Sequence, residues 1–131
     1  MDIQEQHDRG LALRENMFGR EAVEQRSNAF GAFGKPLQHI INAYAYGDVW
    51  SRSALPPATK SLAMIAMMAA AGHANELRVH LKGALKNGCR VEEIQEVLLQ
   101  TAAYCGAPAA LESFRLAERV INEVLTEAPA A

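Results

Sequence analysis

The stretch AAAGHANELRVHLKGALKNGC, Ala69 to Cys89, decides the reading of this chain. From Ala74 to Lys86 it consists of good helix formers, and it stops at Asn87-Gly88, a helix C-terminal signal. Within it His73, Glu76 and His80 recur at spacings of three and four. At about 100° per residue they fall within about 100° of one another, on one helical face. Just upstream, SLAMIAMMAAAGHA (Ser61–Ala74) is the most apolar window in the chain. Leu62 through Met68 are apolar in sequence, which predicts a helix buried all round.

Working outward, the rest of the chain is also helical in character. Ala, Leu, Met, Glu, Gln and Arg dominate, and no run alternates in the manner of a strand. A first helix is predicted over residues 3–16, closing at Gly19, and a second over 21–30. The breaker cluster GAFGKP follows, and Pro36 suits the first turn of a third helix through Tyr46. GDVWSRSALPPATK, Gly47 to Lys60, reads as an ordered loop. Helices over 58–71, 74–86, 91–104 and 108–125 complete the chain, the last two separated by the break at Cys105-Gly106. No repeat, linker or low-complexity block appears. The expectation is one all-α domain over residues 1–131, a compact fold of six to seven helices.

Composition narrows the function. Of 131 residues, half are hydrophobic and 21% are charged, as in a globular protein, and the net charge of −2 gives no electrostatic case for nucleic acid. The apolar window of 14 residues is too short to cross a bilayer, so no membrane partner is expected. The start, MDIQEQHDRG, lacks the basic and apolar regions of a signal peptide. Two cysteines, Cys89 and Cys105, are too few for a disulfide framework and suit a reducing compartment. Together these predict a cytoplasmic protein.

Two helices carry apolar residues on two faces. In the sixth, Ile94, Val97, Leu98 and Thr101 share a face, with Leu99 and Ala103 opposite. In the last, Phe114, Ile121 and Leu125 point one way and Leu116, Val120 and Val124 another. A second apolar face on a small protein predicts burial against another copy, hence a homo-oligomer.

The His73–Glu76–His80 face admits several readings. Glu76 and His80 sit on successive turns, within reach of a hydrogen bond or ion pair. In an acid/base site the carboxylate orients the imidazole and the imidazole handles the proton. The same pattern also occurs on ordinary solvated faces. Two nitrogens and an oxygen are a possible divalent-metal set, but the histidines are seven apart rather than the familiar four, which argues against a metal.

Four stretches carry a resemblance: HDRGLALRENMFG (His7–Gly19), YGDVWSRSALPPATKSLAMIAMMAAAG (Tyr46–Gly72), ELRVHLKGALKNG (Glu76–Gly88) and EEIQEVLLQTAAYCGAPAALESFRLAE (Glu92–Glu118). In these the chain is similar to the carboxymuconolactone decarboxylase family, and most to its single-domain members in aromatic-acid catabolism. The resemblance implies the all-helical alkylhydroperoxidase D-like fold and a trimer or hexamer with sites near subunit contacts. Peroxidases of the same superfamily carry a Cys-x-x-Cys-x-x-x-His motif. Laid on this sequence, its histidine falls on His80 and its cysteines on Glu76 and His73. Both redox thiols are absent, and Cys89 and Cys105, 16 residues apart, do not replace them.

The reaction so implied is cofactor-free decarboxylation of 4-carboxymuconolactone, a lactone with two carboxylates, in the protocatechuate (β-ketoadipate) branch. The leaving carboxylate is vinylogously conjugated to the lactone carbonyl, so the substrate is its own electron sink. No metal, thiamine or pyridoxal is expected. On this reading His80 donates the proton and Glu76 orients it. Arg52 holds the retained carboxylate, since guanidinium matches carboxylate bidentately. Trp50 is a candidate pocket wall, Tyr104 a candidate donor to the enolate, and His39 a candidate lining residue. Cys105 reads as a small buried residue beside Gly106 rather than a nucleophile. Two other readings compete: a family paralogue acting on a different small lactone or oxo-acid, and a non-enzymatic oligomeric helical module.

Overall fold

The computed structural model describes residues 2–127, and among them every regular element is helical. The chain divides into two compact units, meeting in sequence between Pro56 and Pro57.

The first unit is built on α1 (Ile3–Phe18). Asp2 caps it, its carboxylate accepting from the Glu5 amide at 2.8 Å, and Gly19 ends it at φ 90°. α2 (Arg20–Ser27) and a 3₁₀ turn (Gly31–Gly34) lead to α3 (Lys35–Ile40), with Pro36 in its first turn. The helix does not then end near Tyr46. It continues as a ten-residue π-helix, Ile41–Trp50, so Gly47–Trp50, expected in a loop, are helical. The cause is the packing against α1. Gly10 and Gly47 let the two backbones meet, and Arg9 of α1 donates twice to the Gly47 carbonyl, from Nη2 at 2.8 Å and Nε at 3.2 Å. Met17, Val23, Ala43 and Tyr46 are buried here, together with the polar Arg14 and Asn42.

The second unit is a four-helix assembly of α4 (Pro57–Ala71), α5 (Ala74–Lys86), α6 (Val91–Cys105) and α7 (Ala107–Thr126). α4 packs on α5 and α6, and α7 packs on the same two. Ile65, Leu81, Ile94, Leu98 and Val120 are its most buried large side chains. Truncating one of them, Leu81→Ala for example, costs about 2–5 kcal/mol.

Two expectations about faces change here. α4 is not buried all round: Ser61, Ile65 and Ala69, four apart, face the core, and Met67 is exposed. In α7 the buried stripe is Ala110, Ser113, Ala117 and Val120. Small residues at that spacing let α7 approach closely, and Phe114, Leu116, Ile121 and Val124 close around the same core from either side. Most of the apolar surface of α7 is thus used within its own unit. α6 follows its sequence pattern, with Ile94, Leu98 and Thr101 buried and Leu99 exposed.

Candidate active site

Each unit buries one strongly polar, chargeable side chain among the described residues: Arg14 in the first, His80 in the second. α5 places His80. Its inward face is Leu77, His80, Leu81 and Ala84, at helical spacing, and His80 is only 7% exposed. Glu76, one turn earlier, is exposed in the first turn, where its charge complements the helix dipole. The two share a helix flank at different depths, His80 turned inward and Glu76 outward. His73 is exposed at the N-cap of α5, its carbonyl accepting from the Leu77 amide at 2.8 Å.

Two of the hollows in this unit adjoin the helices that carry the candidate residues. A cavity of about 200 Å³ lies at the start of α5, lined by Gly72, His73, Leu77, Pro108, Glu112 and Ser113 among others. A shallower, almost wholly apolar groove of about 580 Å³ runs between α4 and α6, lined by Leu62, Ala66, Met67, Val97, Tyr104 and Cys105 among others. Neither is lined by His80 or Glu76. Tyr104 is 86% exposed at the end of α6. Cys105 is exposed as well, contrary to the expectation that it is buried. It is the last residue of α6, before the Gly106 turn at φ 94°, and faces the groove. The buried thiol is Cys89, which donates to the Ala58 carbonyl at 3.2 Å. Burial, with the Glu93 carboxylate second, pushes it above the usual thiol range. Among the described residues no three His, Cys, Asp or Glu side chains converge as a metal set.

In the first unit the remaining candidates attach to the π-helix. Trp50, its last residue, is half-buried, its ring stacked on Tyr46 at 5.8 Å with planes 10° apart. Arg52 is exposed two residues on, with Nε donating to Asp48 Oδ1 at 3.3 Å. So exposed an ion pair is worth little to stability. His39 on α3 is exposed and stacks on His7 at 5.2 Å.

Sequence reasoning missed the cluster behind Trp50. Arg14 Nη1 donates to Asn42 Oδ1 at 2.7 Å and to Gln38 Oε1 at 3.1 Å, and its Cζ lies 5.6 Å from the Tyr46 ring centroid. Because guanidinium only donates, Asn42 must present its oxygen to Arg14 and its amide nitrogen to His7 Nε2, 3.2 Å away. His7 Nε2 is therefore the acceptor, and the proton sits on Nδ1, 3.3 Å from Asp8 Oδ1. Burial lowers the proton affinity of Arg14, partly offset by Tyr46 and reinforced by Arg26. Burial also pushes the Tyr46 hydroxyl up to about 12, against the pull of Arg14 and Arg26. The signal available in sequence was slight: an arginine four residues after Gly10 on a helix that otherwise reads as amphipathic.

Comparison with known proteins assigns these residues to a family. The profile of the carboxymuconolactone decarboxylase family matches residues 35–119, from the start of α3 into α7. The chain is 33% identical over 124 residues to 4-carboxymuconolactone decarboxylase of Acinetobacter baylyi, covering 95% of this chain and 92% of that one. It is 32% identical over 118 residues to nitrosuccinic acid decarboxylase of Metarhizium robertsii, covering 90% and 82%. Matches of this extent, both to decarboxylases, show that the chain belongs to the carboxymuconolactone decarboxylase family and is a carboxy-lyase.

Proposed function

We propose that this enzyme decarboxylates 4-carboxymuconolactone to the enol-lactone without a cofactor, in the protocatechuate branch of aromatic catabolism. The observation that carries the reading is the likeness, along 95% of the chain, to a decarboxylase named for that substrate. The second relative fits the same chemistry. Nitrosuccinic acid, like the lactone, carries two carboxyl groups, one of them on a carbon whose electrons an internal acceptor can take. In one molecule the acceptor is a nitro group, and in the other a conjugated lactone carbonyl. A protein handling such substrates must desolvate the leaving carboxylate, hold the one that stays, and return a proton to carbon.

In this chain those tasks fall to few residues. The C–C bond to the leaving carboxylate breaks and carbon dioxide departs. The electron pair moves through the ring double bond into the lactone carbonyl, giving a dienolate. His80, oriented by Glu76, delivers the proton to carbon. Arg52 forks onto the retained carboxylate, and Trp50 and His39 wall the bound lactone. Tyr104 is assigned to the oxyanion.

The exposed apolar side chains Phe33, Met67, Leu99 and Leu111 support a homo-oligomer, a trimer or hexamer. Light scattering at micromolar concentration should then give three or six times 14.2 kDa. Two unbridged thiols, and no described helix long and apolar enough to cross a membrane, support a cytoplasmic enzyme. The deciding experiment follows the ultraviolet absorbance of 4-carboxymuconolactone with purified protein, and of nitrosuccinate in parallel. Turnover of the lactone at a kcat/KM of about 10⁴ M⁻¹s⁻¹ or more supports the reading. Turnover of nitrosuccinate alone would replace it.

A further inference from the structure

We infer that Arg14 is a positioning residue for the reaction: tied to Asn42 and laid on Tyr46, it fixes the end of the π-helix from which Trp50 and Arg52 reach the substrate. The inference rests on the proposed roles of Trp50 and Arg52.

Arg14 is 4% exposed, and no described ion pair gives it a carboxylate. An arginine buried in this way is costly, and an apolar residue of similar length would often serve packing as well or better. What an apolar residue would not supply is direction. The two bonds from Nη1 fix Gln38 and Asn42, on α3 and at the start of the π-helix. Nε, buried and with no hydrogen-bond partner, leaves the guanidinium to Tyr46, over whose ring it lies. Tyr46 is held from a second side by Phe18, edge-on at 6.1 Å. Trp50 then lies nearly parallel to Tyr46, so the orientation of the indole is set by a ring that Arg14 and Phe18 hold.

The backbone is fixed at the same place. The Gly47 carbonyl accepts from Arg9 and also from Ser51 Oγ at 2.6 Å, which ties down the turn just before Arg52. A π-helix of this length is rare, and such windings recur at functional sites. Here the wider turn puts Tyr46 and Trp50, four apart, into parallel stacking while Gly47 stays against α1.

The chain has a single tryptophan, so its intrinsic fluorescence reports Trp50 directly. Arg14→Met keeps an unbranched apolar stem and removes the charge, the donors and the planar guanidinium. The variant should stay helical by circular dichroism, shift the emission maximum, and raise acrylamide quenching at least about twofold. On the lactone it should raise KM about tenfold while kcat stays within about threefold, the signature of a lost binding geometry. Tyr46→Leu should reproduce both effects, and Tyr46→Phe, which keeps the ring, should restore the wild-type spectrum. A folded Arg14→Met with wild-type emission and quenching would overturn the inference. So would a loss confined to kcat. If Arg14→Met does not fold, Tyr46→Leu decides alone, and an unshifted spectrum there overturns it. Failure of the proposed function would show differently, as no lactone turnover by the wild-type enzyme, and would leave the fluorescence result intact.

Discussion

Gly10 and Gly47 meet across α1 and the π-helix with no space for a side chain on either. A Cβ on Gly10 would overlap the Asn42 carbonyl oxygen and stand 2.6 Å from the Gly47 nitrogen, and one on Gly47 would overlap the Gln6 carbonyl oxygen. All three obstacles are backbone atoms, which cannot swing aside as a side chain would. Gly10→Ala should therefore push α1 off the π-helix, although alanine favours helix by about 1 kcal/mol over glycine. Overpacking of this kind costs about 1–3 kcal/mol, occasionally more. The measurement is urea unfolding followed by circular dichroism, and an unchanged or raised midpoint for Gly10→Ala would disprove the close approach.

The two thiols should differ sharply in reactivity. Cys105 is exposed, whereas Cys89 is buried, donates to a carbonyl, and is pushed toward its unreactive thiol form. Ellman's reagent at pH 8 should titrate one thiol in a fast phase and the second only slowly or on unfolding. Changing both cysteines to serine should leave turnover within about threefold if the fold survives, because neither occupies a position of the peroxidase motif. Two equally fast thiols, or a folded double variant without activity, would contradict this.

Tyr46 predicts an alkaline limit. Its hydroxyl ionises near 10 in an unfolded chain and at about 12 here, chiefly because it is buried. A group whose folded value is raised lends stability that is complete below pH 10. That stability is lost as pH climbs from 10 through 12, about 2–3 kcal/mol in all. Tyr46→Phe cannot ionise, so its stability should fall less steeply across that window. Parallel unfolding curves for the two proteins between pH 9 and 12 would remove Tyr46 as the cause.

Most of the fold was legible in the sequence, and the reasons are local. The helix at 74–86 was bounded correctly because Asn87-Gly88 is an unambiguous stop and its propensities agree with its pattern. The π-helix was not legible, because its winding answers to a tertiary contact. Gly47 reads as a breaker in sequence, yet in the fold it is the point where α1 touches down. Cys105 was misjudged because its sequence neighbours mark a helix end without indicating which way the last residue faces. Of the candidate site, the helical register of Glu76 and His80 was legible, but the burial of one and the exposure of the other were not, because they depend on which flank of α5 the neighbouring helices cover. The Arg14–Asn42–Tyr46 cluster was not, since its members are 28 and 32 residues apart in sequence and meet only when α1 lies along the π-helix.

His80 and Glu76 carry the last prediction. His80 is buried on α5 and Glu76 is exposed one turn before it. If His80 delivers the proton to the dienolate, His80→Ala should lower kcat by about 10²–10⁴, the usual worth of a placed acid or base. Glu76→Gln keeps the shape and one acceptor oxygen but loses the charge, so it should cost less. If the carboxylate supports the imidazolium, that variant should also move the proton-donor limb of the pH–rate profile to lower pH. Arg52→Lys should behave differently: it keeps the charge, loses the fork, and should chiefly raise KM. The three variants thus separate proton delivery, orientation and carboxylate binding in one kinetic series. A folded His80→Ala enzyme with near wild-type kcat on the lactone would take His80 out of the chemistry, and the proton would then have to come from Tyr104, from Glu76 itself or from water.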